Sequence, residues 1–114
     1  MHEIGIVRQI RRTVEEFAAE HGVSKVAAVV VECGELSLII PRYLQELYPV
    51  VTKDSILAGS ELIIDEIPGM AQCSDCDEIF DVVDNKGYCP ACGSFRKQVL
   101  TGQQFSIKEI RVPE

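Results

Sequence analysis

The chain has 114 residues, 46% of them hydrophobic and 25% charged, with a formal net charge of −7 at neutral pH. That suffices for one ordinary domain, or a small one with a metal-stapled appendage, and no apolar run is long enough to span a membrane. The acidic balance weighs against nucleic acid, whose phosphates require a basic face; the one short basic cluster is Arg8, Arg11 and Arg12.

Met1-His2-Glu3 opens the chain and runs straight into an amphipathic pattern. This does not read as a signal peptide, so the expected compartment is the cytoplasm. His2 belongs to no apolar face. An imidazole at position two can chelate with the backbone nitrogens beside it. Its Nδ1 and its own amide nitrogen close a small ring around one ion, provided the metal displaces the amide proton. The amine of Met1 or the amide of Glu3 can complete a square. Four nitrogens in a plane suit Ni²⁺ or Cu²⁺ and match Mg²⁺ or Ca²⁺ poorly. Taken alone, a terminal histidine is more often a solvated residue, and Glu3 in a first helical turn complements the dipole.

Ile4, Val7, Ile10, Val14 and Phe17 recur at helical spacing, and Gly22 stands where a C-cap belongs, so the spacing predicts a helix over 4–21. His21 in its last turn favours the dipole. Val26 to Cys33 is β-branched and almost continuously apolar, which predicts a strand buried on both sides and makes Cys33 a small buried hydrophobe. Pro41 suits a first helical position, and Tyr43, Leu44, Leu47, Tyr48 and Val51 form a second apolar stripe, with Pro49 expected to kink or restart the helix. Glu61 to Ile67 reads as a second strand, closed by Pro68-Gly69.

Cys73, Cys76, Cys89 and Cys92 then fall as two C-x-x-C pairs. Each pair brings two thiolates to one ion, and two pairs complete a tetrahedron of four sulfurs. Four thiolates suit Zn²⁺ or a rubredoxin-type iron equally in geometry; a closed set of four has no open position and is structural. Zinc is the default, because no other segment suggests electron transfer. Phe80-Asp81-Val82-Val83 is expected as a strand of a hairpin turning at Asp84-Asn85-Lys86-Gly87. The acidic residues Asp75, Asp77, Glu78 and Asp81 around the first pair read as solvated surface. Gln103 to Val112 predicts a last strand, too short to stand alone, that returns to pair with the two earlier ones.

The expected fold is therefore α+β: two helices packed on a small three-stranded sheet, with an inserted four-cysteine zinc-ribbon-like module. Residues 1–69 plus 99–114 form the αβ domain and residues 70–98 the zinc module. With only two histidines, and no nucleophile–base pair or phosphate-cradling loop, an enzyme active site is not expected.

Met1-His2-Glu3 opening a helix, the αβ module, the Ala58-Gly59-Ser60-Glu61-Leu62 approach to the second strand, and Cys73-x-x-Cys76 with Cys89-Pro90-x-Cys92-Gly93 before a terminal strand together resemble the HypA/HybF family of nickel metallochaperones. The resemblance covers essentially the whole chain. It implies nickel binding by His2 and Glu3, with Met1 beside them, and structural zinc on Cys73, Cys76, Cys89 and Cys92. It further implies delivery of nickel, with the GTPase HypB, to the hydrogenase large subunit, and in some members service to urease through its accessory proteins. Some members carry a further histidine in or near the zinc module; residues 70–114 contain none. The rival reading is a zinc ribbon that docks protein or nucleic acid, with a rubredoxin-like electron carrier third.

Overall fold

The computed structural model describes residues 2–114. Helix α1 spans Glu3–His21 and ends as its composition dictates: Gly22 adopts φ 67° and ψ 28°, and its N–H bonds back to Ala18. Val7, Ile10, Val14 and Ala18 make the buried face. Ile4 and Phe17, expected on that face, are each 40% exposed. Phe17 instead stacks on His21, with ring centroids 4.1 Å apart.

Strand β1 (Ala28–Gly34) is buried along nearly its full length. It is central to a sheet of order β2-β1-β6, parallel to β2 (Glu61–Ile67) and antiparallel to β6 (Phe105–Arg111). The last strand thus returns as expected, but it pairs with β1 alone, on the edge that β2 leaves free. A bulge opposite Val30/Val31 accommodates one extra residue in β6.

Helix α2 (Pro41–Thr52) connects β1 to its parallel neighbour. It runs through Pro49 without restarting. Pro49 lies in the last turn and forfeits the bond its N–H would have given Gln45 O, yet side chains hold the end in place: Thr52 Oγ1 donates to Tyr48 O at 2.7 Å, and Tyr48 Oη meets Ser60 Oγ at 2.7 Å. The core joins Val7, Ile10 and Val14 of α1, Val29, Val31 and Cys33 of β1, Leu44 and Tyr48 of α2, and Leu57 and Leu62. Cys33 is buried there as expected, and burial pushes its thiol pKa up against a weaker contact with Ser37.

A second sheet of order β4-β3-β5 is built from Met70–Cys73 (β3), Ile79–Asp81 (β4) and Lys97–Val99 (β5). Here the expected hairpin is corrected. Phe80 and Asp81 do lie in a strand, but its partner is the preceding β3, and Val82–Val83 leave it for a turn. Asp81 drives the departure: its carboxylate accepts from Asp84 N at 2.8 Å and its carbonyl from Asn85 Nδ2 at 2.8 Å. The core of this unit is only Ala71, Cys73, Phe80 and Cys89, with Val82 against it.

The molecule measures 54 × 24 × 19 Å, and the chain passes between the two sheets twice, at Pro68-Gly69 and at 100–104. The crossing is built on bare backbone. A methyl on Gly34 would lie 2.1 Å from Gly102 O, and one on Gly102 would lie 2.5 Å from the Cα of Gly69. Leu36 N donates to Gly102 O at 2.7 Å, Gly34 N to Gln104 O at 2.9 Å, and Gly69 N to the Glu35 carboxylate at 2.8 Å. Three glycines let the strands approach closely enough to make these bonds.

Candidate metal centres

The two C-x-x-C segments are tight turns whose own amides point at the sulfurs. Asp75 N donates to Cys73 Sγ and Ala91 N to Cys89 Sγ, each at 3.4 Å, while Gly93, at φ 79°, donates its N–H to Cys89 O. Each turn thereby offers one buried sulfur, Cys73 or Cys89, and one exposed, Cys76 or Cys92. All four sulfurs lie within 4.8 Å of one another. The nearest approaches run between the turns: Cys73 to Cys92 at 3.6 Å and Cys76 to Cys89 at 3.5 Å. A disulfide needs sulfurs at ~2.05 Å, whereas the edge of a tetrahedron with ~2.3 Å zinc–sulfur bonds is ~3.8 Å. The thiols are thus arranged for a tetrahedral ion, and the donor set fits zinc.

Sequence reasoning missed what ties the turns together. Asp75, expected as solvated surface, lies inside the first turn and accepts from the second: Arg96 Nη1 reaches it at 2.9 Å, and Ser94 Oγ also donates to it. Ser74 N bonds Arg96 O as well. The signal is faint: an acidic residue between two cysteines and a serine and arginine just past the second pair.

The thiols differ in acidity before a metal arrives. Burial raises Cys89, but the N–H groups of Cys92 and Ala91 and the thiols of Cys76 and Cys92 outweigh it and hold the group at about 7. Cys76 receives the Glu78 N–H, which lowers it, yet Cys89, burial, Cys92 and Cys73 together push it up to about 12. Cys92 is also raised: the Ser94 N–H lowers it, and Cys73, burial and Cys89 prevail. Since a metal requires all four groups as thiolates, zinc uptake at pH 7 should release roughly three to four protons, and affinity should fall by about 1000-fold or more per unit as pH drops from 8 to 6. Competition with a chromogenic chelator across that range, with proton release followed by an indicator dye, checks both figures.

The second centre lies at the head of α1. His2 is exposed, with its backbone ahead of the helix, and its carbonyl accepts from Gly5 N at 3.0 Å. The N–H groups of His2 and Glu3 precede the first helical bond, so the ladder does not use them. Met1, the third expected nickel donor, lies outside the described residues. Glu3 is only 8% exposed, and its Oε2 accepts from Ile40 N at 3.2 Å. Ile40 is the N-cap residue of α2, so this carboxylate joins the starts of both helices. The Ile40 N–H is the main reason its pKa lies below the ordinary value; burial opposes, and its own N–H and His2 assist. A cleft of about 460 Å³ beside it is lined by His2, Glu3, Ile4, Tyr43, Glu46 and Leu47. The structure does not bring the terminus and the cysteines into one metal cluster: among the described residues the four cysteines form theirs alone.

Among the described residues, no helix is long and apolar enough to cross a membrane. Residues 1–112 match the family model described as "Hydrogenase/urease nickel incorporation, metallochaperone, hypA". Relatives called hydrogenase maturation factor HypA include one from Nostoc sp., 40% identical over 114 residues (100% of this chain, 97% of the relative), and one from Geobacter metallireducens, 34% identical over 115 residues (98% and 99%). The solution structure of the nickel metallochaperone HypA from Helicobacter pylori superposes with a TM-score of 0.66 at 23% identity, covering 98% of this chain and 97% of that one, a likeness of fold. Taken with the cysteine tetrahedron and the His2-Glu3 head of α1, these matches make the chain a member of the HypA family of hydrogenase-maturation nickel metallochaperones.

Proposed function

We propose that this chain binds Ni²⁺ at its amino terminus, through Met1, His2 and Glu3, and hands it on for [NiFe]-hydrogenase maturation. The observation that carries the reading is the exposed His2 at the head of α1, with amides free of the helical ladder beside it, in a chain matched end to end by the metallochaperone family. An imidazole and adjacent amide nitrogens offer the planar nitrogen set that nickel favours, and an exposed position permits transfer by ligand exchange. Cu²⁺ competes at such a set, so selectivity falls to docking with the recipient. By likeness to the family, the partners are the GTPase HypB and the hydrogenase large subunit, with urease accessory proteins a second destination, all in the cytoplasm.

On this reading the protein is a carrier rather than an enzyme. Residues 1–69 plus 99–114 handle nickel, and residues 70–98 are held by structural zinc on Cys73, Cys76, Cys89 and Cys92. Metal analysis of the purified protein separates zinc from iron, which a red colour would betray.

The nickel test is calorimetric titration of zinc-loaded protein beginning with a free Met1 amine. His2→Ala is expected to weaken binding by about 100-fold or more, since losing a direct donor exceeds the effect of losing an outer partner. Equal binding by both proteins would leave a zinc-stapled interaction module in place of the carrier.

A further inference from the structure

We propose that Glu46 supplies the carboxylate that faces nickel in the amino-terminal cleft, because the Glu3 carboxylate is already committed to the start of α2. This rests on the nickel reading above and specifies its ligand surroundings.

The cleft brings together residues from the two helix starts. Three of its lining residues carry a metal-donor side chain: His2, Glu3 and Glu46. Glu3 is buried, and its Oε2 is bonded to Ile40 N. To meet an ion in the cleft with that oxygen, Glu3 would have to leave a part-buried hydrogen bond at the start of α2. Glu46 has no such tie. It is exposed, takes part in none of the ion pairs among the described residues, and shares the cleft-facing side of α2 with Tyr43 and Leu47, three residues before it and one after.

Electrostatics also bears on where a further anion would sit. A dication at this place meets the N-terminal ends of both α1 and α2, each carrying roughly half a positive charge. The Glu3 charge serves the start of α2. No lysine or arginine lines the cleft, and Glu46 is the remaining acidic side chain there. A carboxylate oxygen from α2 would also add a harder donor to the nitrogens of the terminus. It makes release depend on α2: a partner that engages the Tyr43–Leu47 turn would withdraw that donor.

The test titrates a nickel salt into the zinc-loaded full chain with a free Met1 amine, comparing wild type, Glu46→Gln, Glu3→Gln and His2→Ala. Glu46→Gln keeps the side-chain size, and at an exposed position its Tm should match wild type. Its nickel Kd should rise by about 10- to 100-fold, and the amide shifts of Tyr43 and Leu47 that nickel induces in wild type should shrink with it. Glu3→Gln should lower Tm instead. If Glu46→Gln binds nickel as wild type does while His2→Ala does not, Glu46 has no part and the terminal site stands without it. If His2→Ala binds as wild type does, nickel is not at the terminus and both readings fall.

Discussion

Chelation of the zinc should unfold the small sheet, residues 70–99, while α1, α2 and the β1–β2 pair survive. The reason is the size of the second core. Four buried residues, Ala71, Cys73, Phe80 and Cys89, constitute it, and two of the four belong to the cysteine cluster. Its strands are four, three and three residues long. A unit of this size does not bury enough apolar surface to offset the ordering of its chain, which is why such units depend on metals or disulfides. A structural zinc site supplies about 10–16 kcal/mol of binding free energy that is also folding free energy. The larger core, by contrast, draws twelve buried residues from both helices, the sheet and the connections between them. Amide spectra before and after chelation should lose dispersion for 70–99 and keep it for the helices, and Cys89→Ala should reproduce the change. Retention of the 70–99 pattern in metal-free protein would show that the sheet stands by packing alone.

The second large effect is expected at the glycine crossing. In Gly34→Ala the new methyl meets Gly102 O at 2.1 Å, Gly102 C at 2.4 Å and Gln104 O at 3.0 Å, all backbone. No rotamer change relieves such a clash, so either the strands separate and the bonds from Leu36 N and Gly34 N are lost, or the alanine strains its own backbone. A loss of about 3 kcal/mol is expected. Gly102→Ala adds a positive φ of 89° to a contact of 2.5 Å and should fall in the same range. Gly59 is the control: its φ is 77°, but nothing lies within 4 Å of where a Cβ would stand. Gly59→Ala should therefore lose only the left-handed penalty, about 1–2 kcal/mol. Urea denaturation of the zinc-loaded proteins measures all three, and equal losses for Gly34→Ala and Gly59→Ala would mean that the crossing yields freely.

The parts of the fold that sequence reasoning reaches are those that carry a period. Val7, Ile10 and Val14 announce α1, the run from Val29 to Cys33 announces a central strand, and the cysteine quartet announces its tetrahedron by spacing alone. Periodicity does not say where the buried arc ends, so Ile4 and Phe17 fit the pattern and still face outward. It also fails for β3 and β5. Met70-Ala71-Gln72-Cys73 buries only Ala71 and Cys73, one too small and the other already read as a ligand, and Lys97-Gln98-Val99 is too short to show alternation. Contacts between residues distant in the chain leave at most a faint local mark. The Glu3–Ile40 bond spans 37 residues, and the Asp75–Arg96 pair spans 21.

The order of the strands sets the order of assembly. The central β1 finds its parallel partner, β2, some thirty residues on, as the register Ala28↔Glu61 shows, but its other neighbour pairs Ala28↔Arg111, across nearly the whole chain. Everything between β2 and β6 is the metal-dependent unit and its two crossings. Loop closure becomes slower and entropically harder as the closed segment lengthens. On the proposed zinc reading, metal binding shortens that segment and presents β6 close to the open edge of β1. With zinc on the four cysteines as proposed, a chain that has not yet bound the ion is expected to leave the β6 side of β1 as an exposed strand edge.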